Sequence, residues 1–392
     1  MAAYFDHAAS TPMWPEAVDA MLPHLHGDHG NPSGGHTLAR AARKAIDEAR
    51  DVVAAALGAE PREVVFTSGG TEADNLAVLG VHDRVGGVLT CSAIEHHAVL
   101  DPTESRKGRR LPVDGRGLLD LDGLVGVLDE VRATGERVSV VSVMLVNNEV
   151  GTIQPLDRIA KLVRAHAPDA VLHTDAIQAV PWIDVADRAA DADLVAISAH
   201  KFGGPKGAGA LIVREGVAGR ISARVLGGGQ ERERRSGTPA VANIVGMAAA
   251  LRLTVERRAK TVKRVGARRD RLAEGLVAAV PDLVETGVPK ARGKGIGPRD
   301  HKVAGACPVC IEGVTSESLL YLLDRAEVYA SAASSCASGA TESSHVLAAM
   351  GVPLRLAAGA LRLTLGATTT DEDVDAALTA IPPAVQRLRE LE

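Results

Sequence analysis

The sequence predicts an α/β protein whose larger part is built on a mainly parallel β-sheet. Between residues 60 and 215, short apolar runs alternate with segments of helical pattern, which is typical of parallel strands joined by crossover helices. Residues 138–146 form a continuous apolar run of the kind found in strands covered on both faces. Polar residues follow several of these runs directly. Because ligands of such sheets bind at the carboxyl ends of the strands, we expect a binding site there.

The composition limits the classes of protein to which this chain can belong. A chain of 392 residues can form one large domain and a smaller one, and 46% hydrophobic with 24% charged residues is ordinary for a globular protein. The net charge of -5 favours neither nucleic acid nor an anionic membrane as a partner. No apolar run has the length of a membrane span, and the first residues lack a signal-peptide pattern. Four cysteines do not make a disulfide framework, so we expect a cytoplasmic protein.

A lysine follows one of the buried strands. Residues 193–198 read as a short apolar strand, and Ser198, His200 and Lys201 stand at its end, before a glycine-rich turn. A lysine in this position is costly unless its charge is neutralised or used. Desolvation lowers the pKa of an amine and makes it a nucleophile toward an aldehyde. An isolated Ser-x-His-Lys would be interpreted as a surface loop. A carboxylate at the end of an earlier strand decides against that interpretation.

The earlier strand, residues 171–175, ends in the carboxylate of Asp175, and Gln178 follows shortly after. A carboxylate that keeps a pyridine nitrogen protonated and a lysine that carries an aldehyde are the two groups that pyridoxal phosphate requires. The pair of Asp175 and Lys201 therefore predicts pyridoxal phosphate as the cofactor.

A phosphate site is predicted where residues 64–67, another strand, lead into a helix through Ser-Gly-Gly-Thr. Thr71 followed by Asp74 is a capping-box pattern, which predicts that the helix starts at Thr71. Glycines just before a helix expose backbone N–H groups to an anion, with the helix dipole behind them.

These motifs resemble the cofactor site of the aminotransferase-fold pyridoxal phosphate enzymes and, more narrowly, the cysteine desulfurases. The resemblance runs from Tyr4 to about Thr370. It implies the pyridoxal phosphate-dependent transferase fold, similar to that of aspartate aminotransferase. In that fold a large domain would cover residues 16–255, and a smaller α+β domain would join residues 1–15 to residues 256–392.

The resemblance also implies roles for single residues. Lys201 would hold the cofactor and move the α-proton of the substrate, and Asp175 would keep the ring nitrogen protonated. His96 would lie flat on the ring and relay protons, since the pKa of histidine is ordinarily near neutrality. The implied contacts to the phosphate and to the ring oxygen come from Gly70, Thr71, Ser198, His200, Thr238 and Gln178. Thr238 would reach the phosphate of the neighbouring subunit, which implies a homodimer.

The substrate carboxylate is implied to lie against Asn31, in the motif Asn-Pro-Ser, and against Arg362, whose guanidinium can bind it in a bidentate manner. Asn148, in the Asn-Asn-Glu motif after residues 138–146, would contact both cofactor and substrate. The histidines between residues 24 and 36 match no zinc spacing, so we expect no metal site.

Cys336 stands among small and polar residues from 330 to 344, a segment that has little to bury and that we expect to be mobile. The family's catalytic cysteine occupies this place, although its usual Ser-Ala-Cys is Ser-Ser-Cys here. We interpret Cys91 as a buried inert thiol and Cys307 and Cys310 as structural.

The implied reaction converts L-cysteine to L-alanine and leaves sulfur as a persulfide on Cys336 for a sulfur-acceptor protein. The acceptor stays open between an iron–sulfur scaffold, a tRNA-thiolation enzyme and a biosynthetic pathway. One alternative is a lyase, epimerase or selenocysteine lyase on the same fold, which Cys336 disfavours. Another is a catalytically idle scaffold for sulfur transfer, which Lys201 and Asp175 disfavour. Basic residues from 257 to 271 indicate a solvated helix face or, less simply, a docking surface for an acidic acceptor.

Overall fold

The structure is a computed structural model that describes residues 2–289, 298–333 and 344–391. The described residues form twelve strands: β1 (Ala3–Tyr4), β2 (Val64–Thr67), β3 (Val88–Ser92), β4 (Arg109–Leu111), β5 (Val138–Ser142), β6 (Val171–Asp175), β7 (Leu194–Ser198), β8 (Gly209–Val213), β9 (Leu283–Glu285), β10 (Ala306–Ile311), β11 (Val328–Tyr329) and β12 (Ala360–Thr364).

The same residues form twelve α-helices: α1 (Pro15–His26), α2 (Thr37–Ala56), α3 (Gly70–Val85), α4 (His97–Ser105), α5 (Leu121–Ala133), α6 (Leu156–His166), α7 (Val185–Arg188), α8 (Val241–Ala279), α9 (Ser316–Arg325), α10 (His345–Ala349), α11 (Leu354–Ala357) and α12 (Asp371–Arg389). None of the helices in these ranges combines the length and the apolarity needed to cross a bilayer.

The main sheet has seven strands in the order β2-β8-β7-β6-β5-β3-β4. Strands β7, β6, β5, β3 and β4 pair in parallel, whereas β8 is antiparallel to both of its neighbours. Every residue of β5, β6 and β7 is buried, because helices cover both faces of the sheet. The predicted α/β class with a mainly parallel sheet is confirmed, and β2, β3, β6 and β7 end where the sequence placed their polar residues.

A second apolar core surrounds a smaller antiparallel sheet of order β12-β10-β9. β1 pairs in parallel with β11, and the backbone just after these strands bridges to β12, through Asp6 with Thr364 and Ser331 with Arg362. Helix α8 contributes to both cores. Ile244, Met247 and Leu251 pack in the core of the main sheet, and Val265, Leu272 and Leu276 pack in the second core.

Two predictions about helix ends need correction. Helix α3 begins at Gly70, after Gly69, and Thr71 lies inside it without a side-chain cap, so the predicted capping box is wrong. At the other end of the chain, Thr370 and Asp373 do form a capping box. The pair Pro382-Pro383 predicts an interruption of this helix, but α12 continues through both residues, so that prediction is wrong. The flanking residues Ile381 and Val385 are buried in the second core, and this packing holds the helix across the missing donors.

Two other elements differ in length from their predictions. The helix expected over residues 255–280 begins earlier, at Val241. Regular strand β5 ends at Ser142, although Val143 and Leu145 still donate backbone hydrogen bonds to the carbonyls of His173 and Asp175. The chain therefore follows β6 as far as Asp175, and this brings residues 147–152 to the carboxyl edge of the sheet.

The turn after β5 is fixed by its close approach to residues 303–306, which lead into β10. Gly151 has φ +74°, and its carbonyl accepts a hydrogen bond from the Val303 amide at 2.9 Å. A Cβ atom on Gly151 would collide with that of Ala306 and would lie 3.3 Å from Cγ2 of Val303. Only glycine satisfies both the backbone conformation and the space.

We expect Gly151→Ala to lower the free energy of unfolding by about 1–3 kcal/mol, because the added methyl group is overpacked and the backbone is strained. The matched control is Gly126→Ala in α5, where no atom lies within 4 Å of an added Cβ. There alanine should stabilise by about 1 kcal/mol. Thermal melts of the two variants beside the parent measure both effects, and equal melting temperatures would contradict the assignment of Gly151.

Candidate active site

A cavity of about 320 Å³ opens at the carboxyl edge of the main sheet. Among the predicted site residues, its lining includes Gly70, Thr71, His96, Asn148, Asp175, Gln178, Ser198, His200, Lys201 and Arg362. Strands β2, β3, β5, β6 and β7 run in one direction, so the segments that follow them meet here. The structure thus brings together all of the predicted residues except Asn31, Thr238 and Cys336.

Lys201 ends a short 3₁₀ turn, Ala199–Lys201, directly after β7. Its Nζ donates hydrogen bonds to the carbonyl oxygens of Ala8 at 2.5 Å and Ala9 at 2.9 Å. These carbonyls belong to the N-terminal segment, which lines the cavity at Ala8 and Ala9. The amine is therefore held over the cavity by backbone acceptors.

Asp175 is the last residue of β6 and is buried at the base of the cavity. Its Oδ1 accepts a hydrogen bond from the Ile177 amide at 2.8 Å. Burial raises the pKa of Asp175 to about 6, against the opposing effects of the Ile177 hydrogen bond and the charge of Lys201. A positive charge beside this buried carboxyl group would stabilise its ionised form. Gln178, one turn further along, donates from Nε2 to the Ala8 carbonyl at 2.7 Å.

The anion-binding end of the cavity lies at the N-terminus of α3. Gly69 has φ +154°, and a Cβ atom on Gly70 would collide with the side chain of Ile177 and lie 3.5 Å from Cβ of Ser198. The unbonded amides of the first helical turn therefore face the cavity with no side chain between them and a ligand. Ser198 lies beside this helix N-terminus and is linked to His200 by a 3.0 Å hydrogen bond between Oγ and Nδ1.

His96 immediately precedes α4 and caps it, because its Nδ1 accepts a hydrogen bond from the Ala98 amide at 3.1 Å. Burial, together with the charge of Lys201 and two neighbouring histidines, lowers the pKa of His96 to about 4. The expectation of a pKa near neutrality is therefore wrong for this residue. The imidazole is neutral at pH 7, which suits a ring that packs on another ring better than a cation would.

Arg362 enters the cavity from β12 of the smaller sheet and is buried. One terminal nitrogen donates to Oδ1 of Asp6 at 2.8 Å, and Nε has no hydrogen-bond partner among the described residues. A buried guanidinium with an unused donor is suited to a carboxylate ligand. Asn148 lies nearby, in a turn held by the side chain of Asn147, which bonds the Ile94 carbonyl and the Glu149 amide.

Asn31 and Thr238 line a different cavity, of about 340 Å³, beside the end of α1 and the start of α8. Thr238 was expected to serve a neighbouring subunit, but Asn31 was expected to bind the substrate carboxylate. Within one chain Asn31 does not line the cavity around Lys201. Both roles stay predictions, and Cys336 lies outside the described residues.

Several residues of the site are not predicted by the sequence pattern. The carbonyls of Ala8 and Ala9 carry no side-chain signal, so only the structure reveals them. Asp74 was taken for a helix cap, yet it is buried in the cavity lining beside Asp175. Its spacing was a usable signal, because residues 70 and 74 lie on the same face of a helix.

The cavity matches the requirements of pyridoxal phosphate. Lys201 could bind the aldehyde, Asp175 could hold the ring nitrogen, and His96 could pack on the ring. The N-terminus of α3, where a side chain at Gly70 would collide with Ile177, could accommodate the phosphate. When bound, this cofactor supplies an aldehyde for an amine and a ring that accepts electrons.

The chain matches the Aminotransferase class-V family over residues 3–377 and therefore belongs to it. Among curated relatives, "Cysteine desulfurase IscS" of Methanosarcina thermophila is 39% identical, with 100% of this chain and 93% of the relative covered. "IscS-like cysteine desulfurase" of Mycobacterium tuberculosis is 40% identical, with coverage of 99% and 97%. A solved "NIFS-LIKE PROTEIN" shares the fold with a TM-score of 0.87, at 32% identity and with 99% and 100% covered. The expected family, fold and pyridoxal phosphate cofactor are confirmed by these similarities.

Lys201 should be the residue that binds the cofactor covalently. Lys201→Ala should lose the cofactor that borohydride reduction fixes to the protein, because Lys201 is the lysine that the described residues place in the cavity lining. Lys206 is the matched control, since it lies in the same turn but is exposed and outside the cavity lining. Peptide mass spectrometry after reduction locates the cofactor, and a label on Lys206 would refute the assignment.

Proposed function

We propose that this protein is a cysteine desulfurase that converts L-cysteine to L-alanine and passes the sulfur, through a persulfide on Cys336, to an acceptor protein. The convergence of Lys201, Asp175, His96 and Arg362 in one cavity is the observation that carries the proposal. The relatives named as cysteine desulfurases, which match the chain over its whole length, support it.

The proposed roles follow from the surroundings of each side chain. Arg362, oriented by Asp6, binds the substrate carboxylate with its unused donor, and Asn148 stands beside it. Lys201 takes the proton from the substrate Cα, and the Ala8 and Ala9 carbonyls hold its amine in place. The neutral ring of His96 can accept a proton without first losing one.

The other cysteines are unsuited to sulfur chemistry. Cys91 lies within β3, and Cys307 and Cys310 lie within β10, and all of these thiols are buried. Burial raises their pKa values to about 12, so almost no thiolate exists at neutral pH. Because the chain has four cysteines, Cys336 is the one that remains for the reaction.

The reaction balances without an added oxidant. The Cβ–S bond of L-cysteine breaks, and the Cys336 sulfur bonds to the departing sulfur, so that thiol plus cysteine gives persulfide plus alanine. The two protons that alanine gains at Cα and Cβ replace those removed from the substrate and from the thiol. The Cys336 sulfur supplies the electron pair of the new S–S bond. The pair of the broken Cβ–S bond stays with Cβ, where a proton completes the alanine methyl group.

We extend the proposal to assembly, domains and location. Thr238 and Asn31 share a cavity away from Lys201, an arrangement that would suit residues serving the site of a second subunit in a homodimer. A division into residues 16–255, and residues 1–15 with 256–392, would fall within α8, where its packing passes from one core to the other. A persulfide carrier needs reduced thiols, which favours the cytoplasm.

Cys336→Ser should abolish the release of sulfide and alanine from L-cysteine, because serine cannot accept sulfur. The variant should still bind pyridoxal phosphate and should still change its visible absorption when L-cysteine is added. Mass spectrometry of the parent enzyme after a single turnover should find one added sulfur on the peptide that contains Cys336.

Cys310→Ser and Cys91→Ser provide matched controls, since each replaces a buried thiol by a hydroxyl of similar size. They should keep sulfide release per folded, cofactor-loaded enzyme. Sulfide release by Cys336→Ser at the parent rate, with added sulfur on another cysteine, would overturn the proposal.

A further inference from the structure

Three buried carboxyl groups at the carboxyl edge of the main sheet act on one another electrostatically. Asp74 comes from α3, Glu95 from the segment after β3, and Asp175 from the end of β6. Asp74 and Glu95 are fully buried, and Asp175 is 4% exposed. Burial raises the pKa of Asp74 well above its usual value, and repulsion by Asp175 and Glu95 adds to the effect. Carboxylates this close in an apolar interior cannot all be ionised, so at least some carry protons.

Hydrogen bonds distinguish the three groups. Asp175 accepts from the Ile177 amide and is attracted by Lys201, so it is the best stabilised anion. Glu95 accepts at one oxygen from the Met144 amide at 2.6 Å. Neither oxygen of Asp74 has a hydrogen-bond partner within the described ranges. Asp74 is therefore the carboxyl group with the least support for a negative charge.

His173 lies next to Asp74. It precedes Asp175 by two positions in β6, so the two side chains lie on the same face of the sheet. Its Nε2 is 3.5 Å from Oδ1 of Asp74, and its Nδ1 is 2.8 Å from Oγ of Ser142. The contact at Nε2 is at the limit of hydrogen-bond length, and neither Nε2 nor Oδ1 of Asp74 has a hydrogen-bond partner within the described ranges. Burial lowers the pKa of His173 to about 3, so its ring is neutral and carries one N–H.

Two proton arrangements fit this geometry. In one, Nε2–H of His173 donates to an ionised Asp74, which puts a second anion beside Asp175. In the other, a protonated Asp74 donates its O–H to Nε2, and Nδ1–H of His173 donates to Ser142. The second arrangement gives Nε2 and Asp74 a partner each without a new buried charge, and the repulsion among the carboxyl groups favours it.

We propose that Asp74 is a positioning residue whose carboxyl group stays protonated in the working enzyme, donates to His173, and so leaves Asp175 as the anion that faces the cofactor ring. The inference deepens the proposed function, on which the role of Asp175 rests. The groups that act on Asp74 are His173 and Asp175 from β6 and Glu95 from the segment after β3, with Lys201 acting on Asp175. Asp74 acts through these neighbours and not on the substrate.

Infrared spectroscopy tests the protonation directly. The cofactor-loaded enzyme, labelled with ¹³C at its aspartate carboxyl groups, should show the isotope-shifted carbonyl band of a protonated carboxylic acid at pH 7. Asp74→Asn should remove the band. Asp175→Asn is the matched control and should keep it, because the proton is assigned to Asp74.

A second variant tests the contact to His173. His173→Gln should shift the frequency of the band without removing it, since the acceptor changes while the acid remains. Asp74→Ala, which leaves Nε2 without its donor, should weaken cofactor retention about tenfold in equilibrium dialysis, and Asp74→Asn should restore part of that loss through its amide. A merely space-filling side chain would give no band and no shift.

The inference is overturned if the parent enzyme lacks the band at pH 7, or if Asp175→Asn removes it while Asp74→Asn does not. The parent spectrum alone decides the first point, even where a variant folds poorly. A band that follows Asp74 in a protein that forms no alanine from L-cysteine would leave the inference standing and reject the proposed function. Alanine formation by an enzyme that lacks the band would support the proposed function and reject the inference.

Discussion

The parallel pairing of β3, β5, β6 and β7 is the constraint on which the rest of the structure depends. Strands that run in one direction must all end at one edge, so the segments after them meet there. In this protein those segments carry Lys201, the histidines His96 and His200, and the acids Glu95 and Asp175. The strands are buried and covered on both faces, so these polar groups are buried or half-buried at the edge of the sheet. The chemistry of the site is a consequence of where parallel strands end.

The N-terminal segment makes this burial possible. The carbonyls of Ala8 and Ala9 accept hydrogen bonds from Lys201, and Asp6 pairs with Arg362. Its backbone also receives the Thr364 amide at the Phe5 carbonyl, at 2.7 Å. One short stretch therefore supplies hydrogen-bond acceptors to a lysine that follows a strand of the main sheet and to an arginine of the smaller sheet. Because both partners lie in the cavity, a shift of this stretch would move the amine and the guanidinium together.

Much of this arrangement could be predicted from the sequence, because apolar runs and the polar residues after them are local signals. Lys201 and Asp175 were found in this way, and both line the cavity. Asp74 was misinterpreted, because a threonine followed three positions later by an acid looks like a cap. The true start of α3 depends on the backbone of Gly69, and a sequence pattern does not reveal φ. Asn31 lies apart from Lys201 because its place depends on how distant helices pack, which no local motif records.

The charge states of the site follow from the same burial. An interior with three carboxyl groups stabilises few negative charges, and Lys201 contributes the positive charge that lowers the pKa of Asp175. The histidines around the cavity do not help, because burial lowers the pKa values of His96 and His200 to about 4 and both rings are neutral. Asp175 therefore has a pKa of about 6. This value is higher than that of a carboxyl group in water and lower than burial alone, without the Ile177 amide and Lys201, would give. A protonated ring nitrogen beside it would supply the counter-charge that the chain's own side chains leave incomplete. The surroundings of Asp175 therefore suit a cofactor that carries a positive charge at this point.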